Sequence, residues 1–138
     1  MKFGVSLFVT GYSITPAEAA RAAEDVGLDS IWFPEHTHIP VSSQFPRGDE
    51  VPREYRSTLD PFVALASAAS VTSTLKLCTS IALVVQRDPF TLAKEVATLD
   101  VLSGGRVMLG IGAGWNEPEI LNHGTDPSRR FKNRIHPS

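Results

Sequence analysis

Four times in this chain a helix-capping side chain is followed at once by proline: Thr15-Pro16, Asp60-Pro61, Asp88-Pro89 and Asp126-Pro127. The oxygen of a Thr or Asp accepts from the unpaired amides of a first helical turn, and proline, which has no amide, fits the position after it. The repeated dipeptide therefore marks helix starts. What lies between the starts decides the fold. Phe3, Val5, Leu7 and Val9 are apolar at period two, with Phe8 on the other face, which predicts a first strand over Lys2–Val9 that is largely buried on both sides. Leu28–Phe33, Leu75–Val84 and Arg106–Gly110 read as the second, third and fourth strands.

The helices read with equal economy. Thr15 and Glu18 spell a capping box, and the helix from Pro16 to Val26 carries Ala19, Ala22, Ala23 and Val26 as its inward face before Gly27 stops it. Phe62–Val71 is the second helix. Asp88-Pro89 opens the third, where Leu92, Val96, Leu99 and Leu102 fall at helical spacing until Ser103-Gly104-Gly105. Strands alternating with helices over short connections predict an α/β fold with a parallel sheet. The exception is Pro34–Leu59, a stretch without clear period, and a loop that long inside a compact domain usually has a function. Asp126-Pro127 announces a fourth helix, with Phe131 and Ile135 able to begin an apolar stripe that Pro137 would end. The chain is thus expected to be one domain over residues 1–138 with an atypical tail at 126–138.

Composition narrows the function. Formal net charge is −2 and no basic stripe is visible, which argues against nucleic acid as a partner. No apolar run reaches the roughly 18 residues that a membrane span needs. Cys78 is the only cysteine, so no intrachain disulfide can form, as suits a cytoplasmic protein.

In a parallel α/β barrel the working residues sit where the strands end. Here those ends carry Thr10-Gly11, Glu35-His36-Thr37-His38, Ser80-Ile81 and Gly110-Ile111-Gly112-Ala113-Gly114-Trp115, polar or glycine-rich against apolar strand bodies. His36 can exchange a proton near neutral pH, or can simply bond backbone carbonyls in its loop. His36 and His38 could begin a metal site for a hydrolase, but further ligands would have to come from His123 or His136, close to the tail, so no metal is expected. Gly110, Gly112 and Gly114 let backbone approach a planar ring or phosphate, or form a tight strand-to-helix turn. Trp115 stands where a dinucleotide fingerprint would want another glycine. Thr79-Ser80-Ile81 reads either as a bulge that re-aims the backbone toward a ligand or as hydroxyls bonding across the ladder.

The segments FGVSLFVTG, GLDSIWFPEHTHIP, CTSIALVVQRDP, LAKEVATLDVLSGGRVMLGIGAGWN and NHGTDPSRR together resemble the N-terminal half of luciferase-like oxidoreductases, in particular the branch that uses the deazaflavin coenzyme F420. The resemblance covers residues 1–131 and implies a truncated TIM barrel: a half barrel of four strands and three helices, with the start of a fourth. It implies hydride transfer between F420, or alternatively reduced FMN, and a small organic substrate. By the same resemblance His36 is the catalytic residue, Ser80 and Ile81 form a bulge behind the central ring, often with a non-prolyl cis peptide, and Gly110, Gly112, Ala113 and Gly114 lie near the ring or its side chain. Trp115 replaces a glutamate found in some F420-dependent sugar-phosphate dehydrogenases, so their substrate does not carry over. A half barrel has open edges and an uncovered inner face, from which we expect a homodimer or higher homo-oligomer. A non-catalytic, self-associating remnant is the remaining alternative.

Overall fold

The computed structural model describes residues 1–46, 48 and 50–132; Ile135, His136 and Pro137, named above, lie outside the described residues. The elements in chain order are β1 (Gly4–Ser6), α1 (Pro16–Asp25), β2 (Ser30–Phe33), α2 (Arg53–Ser57), α3 (Pro61–Ala69), β3 (Lys76–Thr79), β4 (Ala82–Leu83), α4 (Pro89–Ser103), β5 (Val107–Met108), β6 (Ile111–Gly112) and α5 (Glu117–Asn122). The main sheet has the order β1-β2-β3-β5, every pair parallel, and β4 pairs with β6 in parallel beyond it. The sheet does not close. This is the parallel α/β sheet that the alternation of strands and helices predicts, in the partial-barrel form that the family resemblance implies.

All four cap-proline signals are used. Thr15 accepts from the Glu18 amide while Glu18 reaches back to Thr15, completing the capping box of α1. Asp60 accepts from the amides of Phe62 and Val63, and Asp88 from that of Thr91. Asp126 accepts from Ser128, but there the chain makes only a 3-10 turn over Pro127–Arg129. Gly104 ends α4 with φ of +70°, a left-handed conformation that favours glycine.

The register lines up Val5, Ile31, Leu77 and Val107 across the four strands. This row faces the helices. Ile31 and Leu77 are fully buried, packed with Ala20, Leu65, Ala68 and Leu99. The alternate row (Ser6, Trp32, Cys78, Met108) faces the side a complete barrel would enclose.

Several expectations shift. The first strand is not buried on both sides: only Gly4–Ser6 is strand, Gly4 and Ser6 are exposed and Phe3 is 60% exposed, because β1 is an edge of an open sheet. The third strand is broken at Ser80-Ile81 into β3 and β4, and the fourth runs past Gly110 into β6. In α1 the buried face is Ala19, Ala20 and Ala23, while Val26 falls beyond the helix and is exposed. Leu102 of α4 is also exposed, and Ser103 takes the inward position.

At the end of the sheet where strands begin, two side chains of opposite charge fasten the turn before β3. The Glu24 carboxylate accepts from the amides of Ser73, Thr74 and Leu75 and from the Thr74 hydroxyl. Arg106, buried, donates to the carbonyls of Ala69, Thr72, Leu75 and Ser103 and to the Thr72 hydroxyl. Together they satisfy the backbone between α3 and β3 from both sides. At the sheet's other edge a groove of about 950 Å³ runs between α4 and β5–β6, lined by Leu92, Val96, Val107, Leu109, Ile111 and Arg130. No helix among the described residues is long and apolar enough to cross a membrane.

Two outcomes follow from this packing. The Thr74 amide, ahead of lesser contributions from Leu75 and Ser73, holds the Glu24 carboxyl down at about 2 against the cost of burial. A lowered pKa stabilises the fold above the ordinary carboxylate value, and that stabilisation is lost as pH falls toward the folded value. Glu24→Ala should therefore lower the thermal midpoint at pH 7, and the gap from wild type should narrow between pH 4.5 and pH 2 in thermal melts. A side chain at Gly110 would collide with the Thr79 carbonyl, which is backbone and cannot step aside. Gly110→Ala should cost about 1–3 kcal/mol in urea unfolding.

Candidate functional site

The loop after β2 delivers two acidic and basic pairs to the ends of the strands. Glu35, 4% exposed, accepts from the Leu83 amide of β4 at 2.7 Å and from Arg87 Nε at 2.6 Å. Arg87 also meets Asp60 at 2.6 Å and Glu95 at 2.8 Å, and its guanidinium lies over the Phe62 ring. Burial pushes the Glu35 carboxyl up, only partly offset by the Leu83 amide and Arg87. One arginine thus ties the loop after β2 to α3 and α4.

His36 turns the other way. Its Nδ1 lies 2.7 Å from Oε2 of Glu119, a side chain with no exposed surface carried on α5. The same carboxylate accepts from the Thr37 amide at 2.9 Å and the Thr37 hydroxyl at 3.2 Å. Burial raises the Glu119 carboxyl, but the hydrogen bonds from His36 and from the amide and hydroxyl of Thr37 outweigh it and hold the group below the usual carboxylate value. Glu119 is therefore ionised at neutral pH. Around the imidazole stand Tyr55 (centroids 5.4 Å apart) and Trp115 (5.6 Å), with Phe45 against both of those rings and Phe8 against Tyr55. The long loop over 34–59 supplies Phe45 and, on α2, Tyr55. An antiparallel bridge from Thr58 to Thr10 returns it to the sheet. His36 thus has a charged partner on one side and aromatic walls on others, and its side chain is 6% exposed.

The third and fourth strands meet at the glycines. The Ser80-Ile81 peptide is cis. Ser80 donates its amide to the Phe33 carbonyl, and its hydroxyl lies 3.1 Å from that of Ser6. The Thr79 hydroxyl both donates to the Gly110 carbonyl and accepts from the Gly110 amide, so this hydroxyl does bond across the ladder. Gly112 lies under the Ile81 side chain, whose end would have to move to admit a Cβ, and Gly114 takes φ of +78° against Leu83 and Gln86. These glycines have work inside the protein: they let the fourth strand lie close against the bend in the third. Ala113 is half-buried between them.

The structure brings Ser80, Ile81, Gly110, Gly112, Ala113 and Gly114 together and joins His36 to the same end through α5. Among the described residues no hydrogen bond links His36 directly to Ser80 or the glycines. His38 and His123 both bond the Thr37 hydroxyl, and no group of three or more His, Cys, Asp or Glu side chains is placed to hold a metal ion among the described residues. The groove beside α4 is not lined by His36. It marks an uncovered apolar edge, away from the polar strand ends.

Sequence reasoning missed Glu119. Asn116 three residues earlier makes Asn116-x-x-Glu119 look like an ordinary helix-start box, yet Asn116 makes no capping bond and Glu119 reaches His36 and Thr37 in the loop after β2. Tyr55, Phe45 and Trp115 were also beyond reach, since their meeting depends on the path of the long loop.

Comparison with known proteins places the chain in a family and bears on its fold. The family model for luciferase-like monooxygenases matches residues 1–133. An uncharacterized protein of Mycobacterium tuberculosis (strain ATCC 25618 / H37Rv) is 50% identical over 94% of this chain and 48% of its own length, so the chain spans about half of that relative. An F420-dependent glucose-6-phosphate dehydrogenase of Amycolatopsis mediterranei is 30% identical over 79% of this chain and 30% of its own. Among solved structures, the oxygenating constituent of 3,6-diketocamphane monooxygenase from Pseudomonas putida, in complex with FMN, superposes with a TM-score of 0.70 at 24% identity, over 91% of this chain and 33% of that one, a likeness of fold. With a parallel partial barrel, its polar strand ends and a family match over nearly all its residues, the chain belongs to the luciferase-like monooxygenase family.

Proposed function

We propose that this chain forms the cofactor-facing part of an oxidoreductase that transfers hydride between coenzyme F420 and a small organic substrate, with reduced FMN as the alternative cofactor. The observation that carries the reading is the convergence of His36 and the Ser80-Ile81 bend on one end of a parallel sheet, the end where such folds do their chemistry. F420 is preferred because a relative matching most of this chain is named as F420-dependent.

The residues present fit a flat, polar-edged cofactor. Ser6, Ser80 and the half-buried Trp32 leave a face of short hydroxyls and one ring, and Ile81 stays 36% exposed at the bend. Among the described residues both ends of the Gln86 amide are buried without a partner, beside Gly114, so that end of the site has donor and acceptor capacity to spare. In this reading Ser80 and Ile81 back the ring, and Gly110, Gly112, Ala113 and Gly114 line its approach. His36 meets the reacting edge or the substrate, and the aromatic side chains around it exclude water. The bound cofactor supplies the hydride chemistry, and the protein supplies placement and a proton partner.

A metal-dependent hydrolase would need His36 and His38 free to ligate. His36 has only Nε2 free of a partner among the described residues, both ring nitrogens of His38 are taken by Thr37 and Asn122, and no group of three possible ligands surrounds either ring there. Self-association is favoured by a separate observation: Val63, Phe90, Val101 and Leu102 on α3 and α4 are each more than 70% exposed, and an apolar groove lies open along β5–β6.

Titration with F420 and with FMN, each alone, tests the first reading. F420 at about 100 times its Kd should stabilise the folded chain by about 2.7 kcal/mol, read as a raised thermal midpoint, with FMN giving less. A folded sample unmoved by both would remove cofactor binding from this chain. Sedimentation velocity should show a dimer or larger species, and a well-folded monomer at micromolar concentration would contradict self-association.

A further inference from the structure

We propose that Glu119 is a positioning residue that locks the His36 imidazole in the tautomer with its proton on Nδ1, leaving Nε2 as the bare nitrogen available to a ligand. The proposal rests on the reading of His36 as the working side chain only for what Nε2 would meet. The lock itself follows from the hydrogen bonds.

An ionised carboxylate only accepts. Glu119 has no exposed surface, and its contacts are all of the donating kind: the Thr37 amide and hydroxyl on Oε1, His36 Nδ1 on Oε2, and at 3.5 Å the Asn116 amide nitrogen on Oε2. Hydrogen bonds of this kind favour the charged form. His36 Nδ1 must then carry the proton that bridges the 2.7 Å contact. Among the described residues Nε2 has no hydrogen-bond partner.

The neighbouring bonds agree on the same assignment. Thr37 has one hydroxyl proton, and it goes to Glu119. Its two remaining contacts, His38 Nδ1 at 2.9 Å and His123 Nε2 at 2.7 Å, must therefore donate to it, filling both lone pairs. That leaves His38 Nε2 as an acceptor, which is what the Asn122 amide nitrogen at 2.9 Å requires. Every bond in the network has one consistent direction, running from the surface toward Glu119. A carboxylate that orients a histidine and fixes its tautomer is a recurrent arrangement around imidazoles that bind metals or move protons.

The same geometry says what a neutral isostere would do. In E119Q the Thr37 amide still points at the Oε1 position, so the glutamine carbonyl must take that place and its NH2 must face His36. That NH2 donates to Nδ1 and drives the imidazole proton to Nε2.

The test is a multiple-bond nitrogen–proton NMR correlation on the ¹⁵N-histidine-labelled chain, without cofactor, at a pH where the histidines are neutral. H36N identifies the His36 signals among the four histidines. Wild type should show a protonated Nδ1 and a bare Nε2 at His36, and E119Q should show the reverse. A protonated Nε2 in wild type would overturn the proposal, as would a folded E119Q with the wild-type pattern. The wild-type spectrum decides alone if E119Q does not fold. Because no cofactor is present, failure of the F420 titration leaves this result standing. F420 binding to a chain with the opposite tautomer would refute only the lock.

Discussion

Two carboxylates that the fold removes from water organise one end of this protein. Glu119 has no exposed surface and Glu35 only 4%. A buried charge is tolerated only with good partners, and removing a partner leaves a costly orphan. Glu35 finds the Leu83 amide and Arg87, and Glu119 finds His36 and Thr37. These partners place adjacent residues of the loop after β2 in fixed and opposite settings. Glu35 ties its loop down to β4 and, through Arg87, to α3 and α4. His36 is held from above by α5. The candidate site is the product of satisfying those charges.

The opposite end of the sheet answers a different need. Glu24 and Arg106 close the turn before β3 mainly with bonds to its backbone, joined by the hydroxyls of Thr74 and Thr72. This division, backbone satisfaction where strands begin and side-chain networks where they end, is that of α/β barrels, in which one face keeps the fold stable and the other carries function. The close packing of Gly112 under Ile81 joins the two strand ends that the division depends on.

The sequence made the frame legible and the site only in part. Thr15, Asp60 and Asp88 could be read because a cap acts on amides two or three residues away, and local chemistry survives any tertiary setting. Asp126 caps in the same way, yet yields only a short turn, since a cap does not supply the apolar face that sustains a helix. The first strand was misjudged because period two shows alternation, while whether a second face is covered depends on the neighbours an edge strand lacks. His36 stood out as a titratable side chain at a strand end. Its partner did not: Glu119 lies 83 residues away, on a six-residue helix with no periodic signal, and its burial exists only once the long loop and α5 meet.

The central claim is that His36 and Glu119 form one buried, energetically coupled unit. A double-mutant cycle of His36→Ala, Glu119→Ala and the double variant, by urea unfolding at pH 7, measures that coupling directly. The account predicts an interaction energy of at least about 1 kcal/mol, the double variant losing less than the sum of the single losses. Single-variant losses that add to within about 0.3–0.5 kcal/mol would show two independent side chains and contradict it.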